Sequence, residues 1–332
     1  MSRSLINIPF SVLDLAPITE GNTAEITFKN SLRLARSVEA FGYHRYWLAE
    51  HHNMESVASS ATAVLIGFIA GGTKSMRIGS GGIMLPNHSP LVIAEQFGTL
   101  ASLYPGRIDL GLGRAPGTDQ ATAAALRRNR METVNDFPED VLALQTYFSA
   151  ENKNAKVRAI PGEGVDVPMW ILGSSTDSAE FAAFMGLPYA FASHFAPAQF
   201  VQAVNIYRRN FRPSKKLKQP YVMACVNVIA AESNREAERL ATSFYQLARG
   251  IITGQRRPLQ PPVENMDGRW TPTEEAAVKQ MMRYAFIGDP ENVRTGLQSF
   301  QEEMQLDEIM VTSHIYDPEA RIGSYRILWD LR

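Results

Sequence analysis

Eight runs of the chain are apolar almost without interruption: FSVLDLAP, YHRYWLAEH, RIGSGGIML, RIDLGLG, PMWILGSS, YAFASHF, YVMACVNVIAA and EIMVTSHI. A strand covered on one face alternates apolar and polar residues, whereas one covered on both faces reads as a continuous apolar run. The runs therefore predict strands of a parallel sheet. Between them lie stretches with helical spacing. Asn22 to Phe41 places Ile26, Leu32, Ala35 and Val38 at mixed three- and four-residue steps, and Gly42 follows where a helix C-terminus favours glycine. Pro90 to Leu103 opens on a proline in its first turn. Ser178 to Met185 stops at Gly186, and Pro197 to Phe211 and Asn234 to Arg249 complete the set. Strands alternating with helices predict an α/β protein, a TIM-type (β/α)8 barrel with insertions, as one domain over residues 1–332. A doubly wound sheet is the alternative. It would use fewer strands in a chain divided in two, and no Pro/Gly/Ser linker lies at mid-chain.

Two segments break the alternation, 151–166 and 250–273. The second is proline-rich and basic at Arg256 and Arg257. Loops of this length are uncommon and often functional, which makes 250–273 a candidate active-site lid, with a plain surface insertion as the alternative.

Composition narrows the function. A formal net charge of −1 argues against nucleic acid as a partner, because phosphate backbones demand a basic surplus. The single cysteine, Cys225, excludes an intrachain disulfide framework and reads as a small core residue. No apolar run approaches a membrane span, so a soluble cytoplasmic protein is expected.

Barrel chemistry sits at the C-terminal ends of the strands. There the sequence places Glu50-His51-His52-Asn53, Leu85-Pro86-Asn87-His88, Arg114, Ser174-Ser175, Ser193-His194 and Ser313-His314. Of six histidines, only His44 is away from such an end, a clustering that a buried structural role does not explain. A zinc site built from His51, His194 and His314 is one rival, weakened by the lack of an H-x-H pair and of bridging carboxylates. RIDLGLGRAPGTD has the look of a dinucleotide turn, but the third glycine of that fingerprint is replaced by Pro116. Arg114 instead suits a monophosphate, since its guanidinium offers a fork of donors. The next strand ends in ILGSSTDSAEF, whose serines and free N–H groups at a helix start supply the complementary half of an anion site. Asp177 and Glu180 have capping-box spacing. Gly79, Gly81 and Gly82 inside a strand mark either a bulge or a close approach of backbone to a ligand.

Taken together, YWLAEHHN, the block from GSGGIMLPNHSP to GRAPGTD, and ILGSSTDSAEFAAFMGLPYAFASHF resemble the bacterial luciferase-like flavin-dependent monooxygenases, over nearly the whole chain. The resemblance implies a barrel using reduced FMN from a separate flavin reductase. Oxygen adds to the flavin, and the peroxyflavin oxidises a small organic substrate. It implies Arg114, Ser174, Ser175 and Ser178 as the phosphate cradle and His51, preceded by Glu50, as the active-site histidine. Gly81-Gly82 fall where the family has a non-proline cis peptide beneath the flavin ring, and Ser193 and His194 near its edge. By the same analogy a homodimer is expected. The reactive cysteine of the luciferase α chain is Gly113 here, so light emission is not implied. Hydride transfer with a deazaflavin on the same barrel, and flavin binding without catalysis, remain alternatives.

Overall fold

The computed structural model describes residues 5–115, 118–126 and 136–332; Pro116, the residue that breaks the glycine fingerprint, lies outside them. Ten strands form one sheet: β1 (Phe10–Asp14), β2 (Arg45–Leu48), β3 (Arg77–Ser80), β4 (Ile83–Met84), β5 (Ile108–Gly113), β6 (Met169–Gly173), β7 (Tyr189–Phe191), β8 (Val222–Ala230), β9 (Ala285–Gly288) and β10 (Glu308–Thr312). Neighbours run β10-β1-β2-β3-β5-β6-β7-β8, and β8 pairs back to β10, so eight parallel strands close a barrel. Each of the eight apolar runs supplies one staple of it. β4 continues β3 past Gly81-Gly82 and pairs with β5, while β9 extends the sheet outward from the far half of β8. All nine residues of β8 are buried, which is why its sequence shows no alternation.

The helices are α1 (Ala24–Phe41), α2 (Thr62–Gly72), α3 (Pro90–Leu103), α4 (Gln120–Leu126), α5 (Phe137–Phe148), α6 (Thr176–Met185), α7 (Phe200–Asn210), α8 (Asn234–Ile252), α9 (Pro272–Met281), α10 (Pro290–Met304) and α11 (Pro318–Asp330). Gly42 ends α1 in the left-handed region at φ 105°, with its N–H on the carbonyls of Val38 and Glu39. A side chain there would run into Trp329. α2, TAVLIGFIAGG, escapes a periodicity search because it carries almost no polar face.

The floor of the barrel is closed by charge. Arg45 donates to Glu308 at 2.7 and 3.1 Å and to Asp109 at 2.7 Å, and Arg77 joins Asp109 from the side. Above it, Leu13, Trp47, Trp170, Met223, Cys225 and Met310 fill the interior. Only the opposite, C-terminal rim is left for chemistry. Segment 250–273 holds the last turn of α8, a connection and the start of α9. It is stitched down rather than loose. Leu259 donates to the carbonyl of Ile18 and accepts from the N–H of Glu20, each at 2.8 Å. The Val263 N–H meets Thr242 Oγ1, and Leu259 and Met266 are buried.

Candidate active site at the C-terminal rim

β2 runs straight into Glu50, and burial of its carboxylate is compensated locally. Oε1 accepts from Nε2 of His52 and of His88, each at 2.8 Å, and Oε2 accepts the Met84 N–H at 3.1 Å. A carboxylate can only accept, so both imidazoles present Nε2–H to it. Burial pushes the Glu50 carboxyl up, but the bonds from His52, His88 and the Met84 N–H outweigh it and hold it below the ordinary range. Glu50 is thus an ionised anchor for two rings. Its partners His52 and His88 had no assigned role in the sequence. Only the fold, which brings the β4 exit to the β2 exit, joins them. These three residues also form the group of His, Cys, Asp and Glu whose ligand atoms lie within 4.8 Å of one another among the described residues; His51, His194 and His314 do not form one.

Those three rings nonetheless lie close enough to interact. Desolvation, then the neighbouring His314 and His51, push His194 down to about 3. Desolvation and Arg321 push His314 down to about 3, although Asp14 opposes them. Both rings are therefore neutral across physiological pH. His314 stacks on Phe244 at 4.6 Å, and His194 meets the edge of Phe195 at 4.8 Å.

On the other side of the rim, Arg114 leaves β5 with its side chain 46% exposed and donates to Asp177 at 3.1 Å. Asp177 lies in the first turn of α6, which begins two residues before the expected Ser178. The capping box expected of Asp177 and Glu180 is absent. Ser175 is the N-cap without a side-chain capping bond, and Gln199 Oε1 takes the Thr176 N–H at 3.1 Å. The helix starts earlier because Ser175 adopts the extended backbone of an N-cap, which leaves Asp177 to pair with Arg114. Ser174 and Ser175 sit at the helix start beside this pair. Ser178 does not join them: its hydroxyl donates to the Ser175 carbonyl at 2.7 Å and lies 2.9 Å from the Tyr189 hydroxyl. Gly173 leaves room for it, since a Cβ there would stand 2.3 Å from the Ser178 Cβ. Ser193 is also engaged, donating to the Cys225 carbonyl at 2.6 Å.

The Gly81-Gly82 peptide is cis. The barrel's own packing accounts for glycine at these positions. A Cβ on Gly79 would lie 2.6 Å from the Asp109 carbonyl oxygen, one on Gly81 2.6 Å from Leu13 Cδ1, and one on Gly82 2.8 Å from the Gly111 carbonyl oxygen.

A closed parallel barrel, plugged below by charge and carrying histidines, an arginine and a helix start on its C-terminal rim, is a TIM-barrel protein with an active-site mouth of the enzyme type. The chain belongs to the luciferase-like monooxygenase family, whose description it matches over residues 8–305. It is 54% identical to a luciferase-like monooxygenase of Escherichia coli K12, covering 98% of this chain and 97% of that one. It is 31% identical to the N-acetyl-S-alkylcysteine monooxygenase of Bacillus subtilis, over 97% and 98%. Among solved structures it resembles apo-MsnO8, at TM-score 0.87, 33% identity and 98% coverage of both chains. The oxygenating constituent of 3,6-diketocamphane monooxygenase of Pseudomonas putida, solved with FMN, shares the fold at TM-score 0.71 and 18% identity, over 99% and 97%.

Proposed function

We propose that this protein is a monooxygenase that takes reduced FMN from a separate flavin reductase and uses O2 to oxidise a small organic molecule. The observation that carries the reading is Arg114 at the end of β5, facing the start of α6, in a chain of the luciferase-like monooxygenase family. The residues present suit the cofactor. Arg114, Ser174, Ser175 and the N–H groups of the first turn of α6 beyond Thr176, whose own N–H goes to Gln199, supply charge-assisted and neutral donors for one phosphate. Ser178 supports this cradle from behind by fixing the Ser175 carbonyl. When bound, reduced FMN supplies the electrons for oxygen activation. His51 stands on the inward parity of β2, after Trp47 and Ala49, and serves as proton carrier at the reacting face. Glu50 holds His52 and His88 in fixed orientation. The 250–273 segment, anchored at Leu259 beside the β1 exit, covers the mouth and keeps water out. Exposed Val64 and Phe68 on α2 and Val92 and Leu103 on α3 support a second copy as the partner that covers this face.

Anaerobic titration with reduced FMN and with a reduced deazaflavin, followed by oxygen uptake with a reductase and a substrate panel, tests the proposal. Saturable FMN binding and substrate-dependent oxygen uptake are expected. Binding of the deazaflavin alone would replace oxygenation by hydride transfer. FMN binding without turnover of any substrate would leave a flavin-binding protein.

A further inference from the structure

Across the barrel from β3 and β5, the rim formed by β7, β8 and β10 is a polar wall. On β8, Met223 and Cys225 face the interior while Ala224 and Val226 pack outward, so alternation carries Asn227 inward. On β10, Met310 faces inward between Ile309 and Val311, which carries Thr312 inward as well. Asn227 and Thr312 are partners in register, and His194 and His314 continue the wall above them. All four are more than nine-tenths buried.

Four polar atoms of this wall have no protein partner: Asn227 Oδ1, Thr312 Oγ1, His194 Nδ1 and His314 Nδ1. Each such atom costs about 1–3 kcal/mol to bury unpaired, so four together are poor for stability and point to a ligand. The orientation of the amide is fixed. Asn227 Nδ2 donates to the His194 carbonyl at 2.7 Å, and a carbonyl can only accept, so Oδ1 is the atom left without a partner on the inward face. It can be satisfied only by an N–H or O–H donor, which a ligand at this wall would have to bring. Nothing on the wall carries charge. The nearest ion pair, Arg321 with Asp14 at 2.9 Å, is already closed, and Arg321 also donates to the Ser313 carbonyl.

We propose that Asn227, Thr312, His194 and His314 bind the oxidisable substrate through an uncharged group bearing a hydrogen-bond donor, of carboxamide type, and reject carboxylates and amines. A charged group brought here would lose its hydration and meet no counter-charge. The inference rests on the proposed cofactor site, which the phosphate anchor at β5 and α6 puts on the opposite side of the mouth. It also separates this chain from its relative named for N-acetyl-S-alkylcysteines, which are carboxylates.

The test is calorimetric binding of matched alkyl probes, a carboxamide, the carboxylate and the primary amine, over a chain-length panel, to the FMN-loaded and the FMN-free protein. An N-acetyl-S-alkylcysteine and its primary amide form a further pair. The carboxamides are expected to bind at least about tenfold more tightly than the charged forms, the equivalent of about 1.4 kcal/mol. Thr312→Val, which is isosteric, and Asn227→Leu should abolish that preference and leave the FMN dissociation constant within about twofold. Equal or tighter binding of the carboxylate or amine, or failure of every carboxamide to bind, overturns the proposal. So does a loss of FMN affinity in the variants without loss of carboxamide binding, which would give the wall to the cofactor. Failure of the wild-type chain to bind FMN would instead strike the cofactor reading, while the FMN-free protein still reports on the wall.

Discussion

Arg114 and Asp177 together give the sharpest test of the cofactor site, because the two substitutions should act in opposite directions. The pair is solvated, with side chains 46% and 68% exposed. Exposed pairs contribute only about 0.2–1 kcal/mol, so Arg114→Ala should leave the melting temperature nearly unchanged. A phosphate in the place of Asp177 would instead draw charge-assisted hydrogen bonds worth about 1.5–3 kcal/mol. Losing them should raise the FMN dissociation constant about 10- to 150-fold. Asp177→Asn removes the carboxylate that competes with phosphate for the same guanidinium. With up to about 1 kcal/mol released, FMN should bind up to about fivefold more tightly. The assay is quenching of flavin fluorescence at fixed ionic strength, with riboflavin as the control that lacks a phosphate. Arg114→Ala should barely change riboflavin binding. Equal FMN affinity in Arg114→Ala, an equal loss for riboflavin, or weaker FMN binding in Asp177→Asn would refute the assignment.

Three further outcomes follow from the same geometry. His194 and His314 titrate near 3 in the folded chain but near 6.5 when unfolded, so the unfolded state binds more protons between those values. Their contribution to stability is complete above about pH 6.5 and is lost on acidification, by up to about 1.4 kcal/mol per pH unit for each ring; urea melts from pH 7.5 to 5 should show this slope, and His314→Gln should flatten it. Gly82→Ala drives a Cβ to 2.8 Å from the Gly111 carbonyl oxygen and should cost about 1–3 kcal/mol or more, whereas Gly323→Ala, in helix α11 with nothing within 4 Å, should gain about 0.5–1 kcal/mol; denaturation midpoints that fail to move apart would count against the packing account. His51→Ala should retain FMN affinity yet release hydrogen peroxide in place of product, measurable by peroxide assay during reductase-coupled turnover, and unchanged coupling would remove His51 from proton transfer.

Much of this was legible in the residues. Strands buried on both faces must be apolar throughout, so all eight barrel strands show in the sequence, and a helix-first proline and a terminal glycine mark α3 and α1 without tertiary help. Residue type at strand ends likewise brought Glu50, His51, Arg114 and the serines forward as candidates, because barrel topology sends every strand end to one rim. What chain order cannot show is which donor meets which acceptor. Glu50 is anchored by His88, 38 residues away, and Arg114 by Asp177, 63 residues away. Ser178 and Ser193 look like ligand groups in sequence, and the fold gives each hydroxyl a protein partner: the Ser175 carbonyl and Tyr189 for one, the Cys225 carbonyl for the other. Asn227 and Thr312 were hidden inside apolar strands. Their pairing emerges only when β8 and β10 meet and turn both side chains to the inward face of the barrel, since contacts depend on positions in space that local periodicity does not encode.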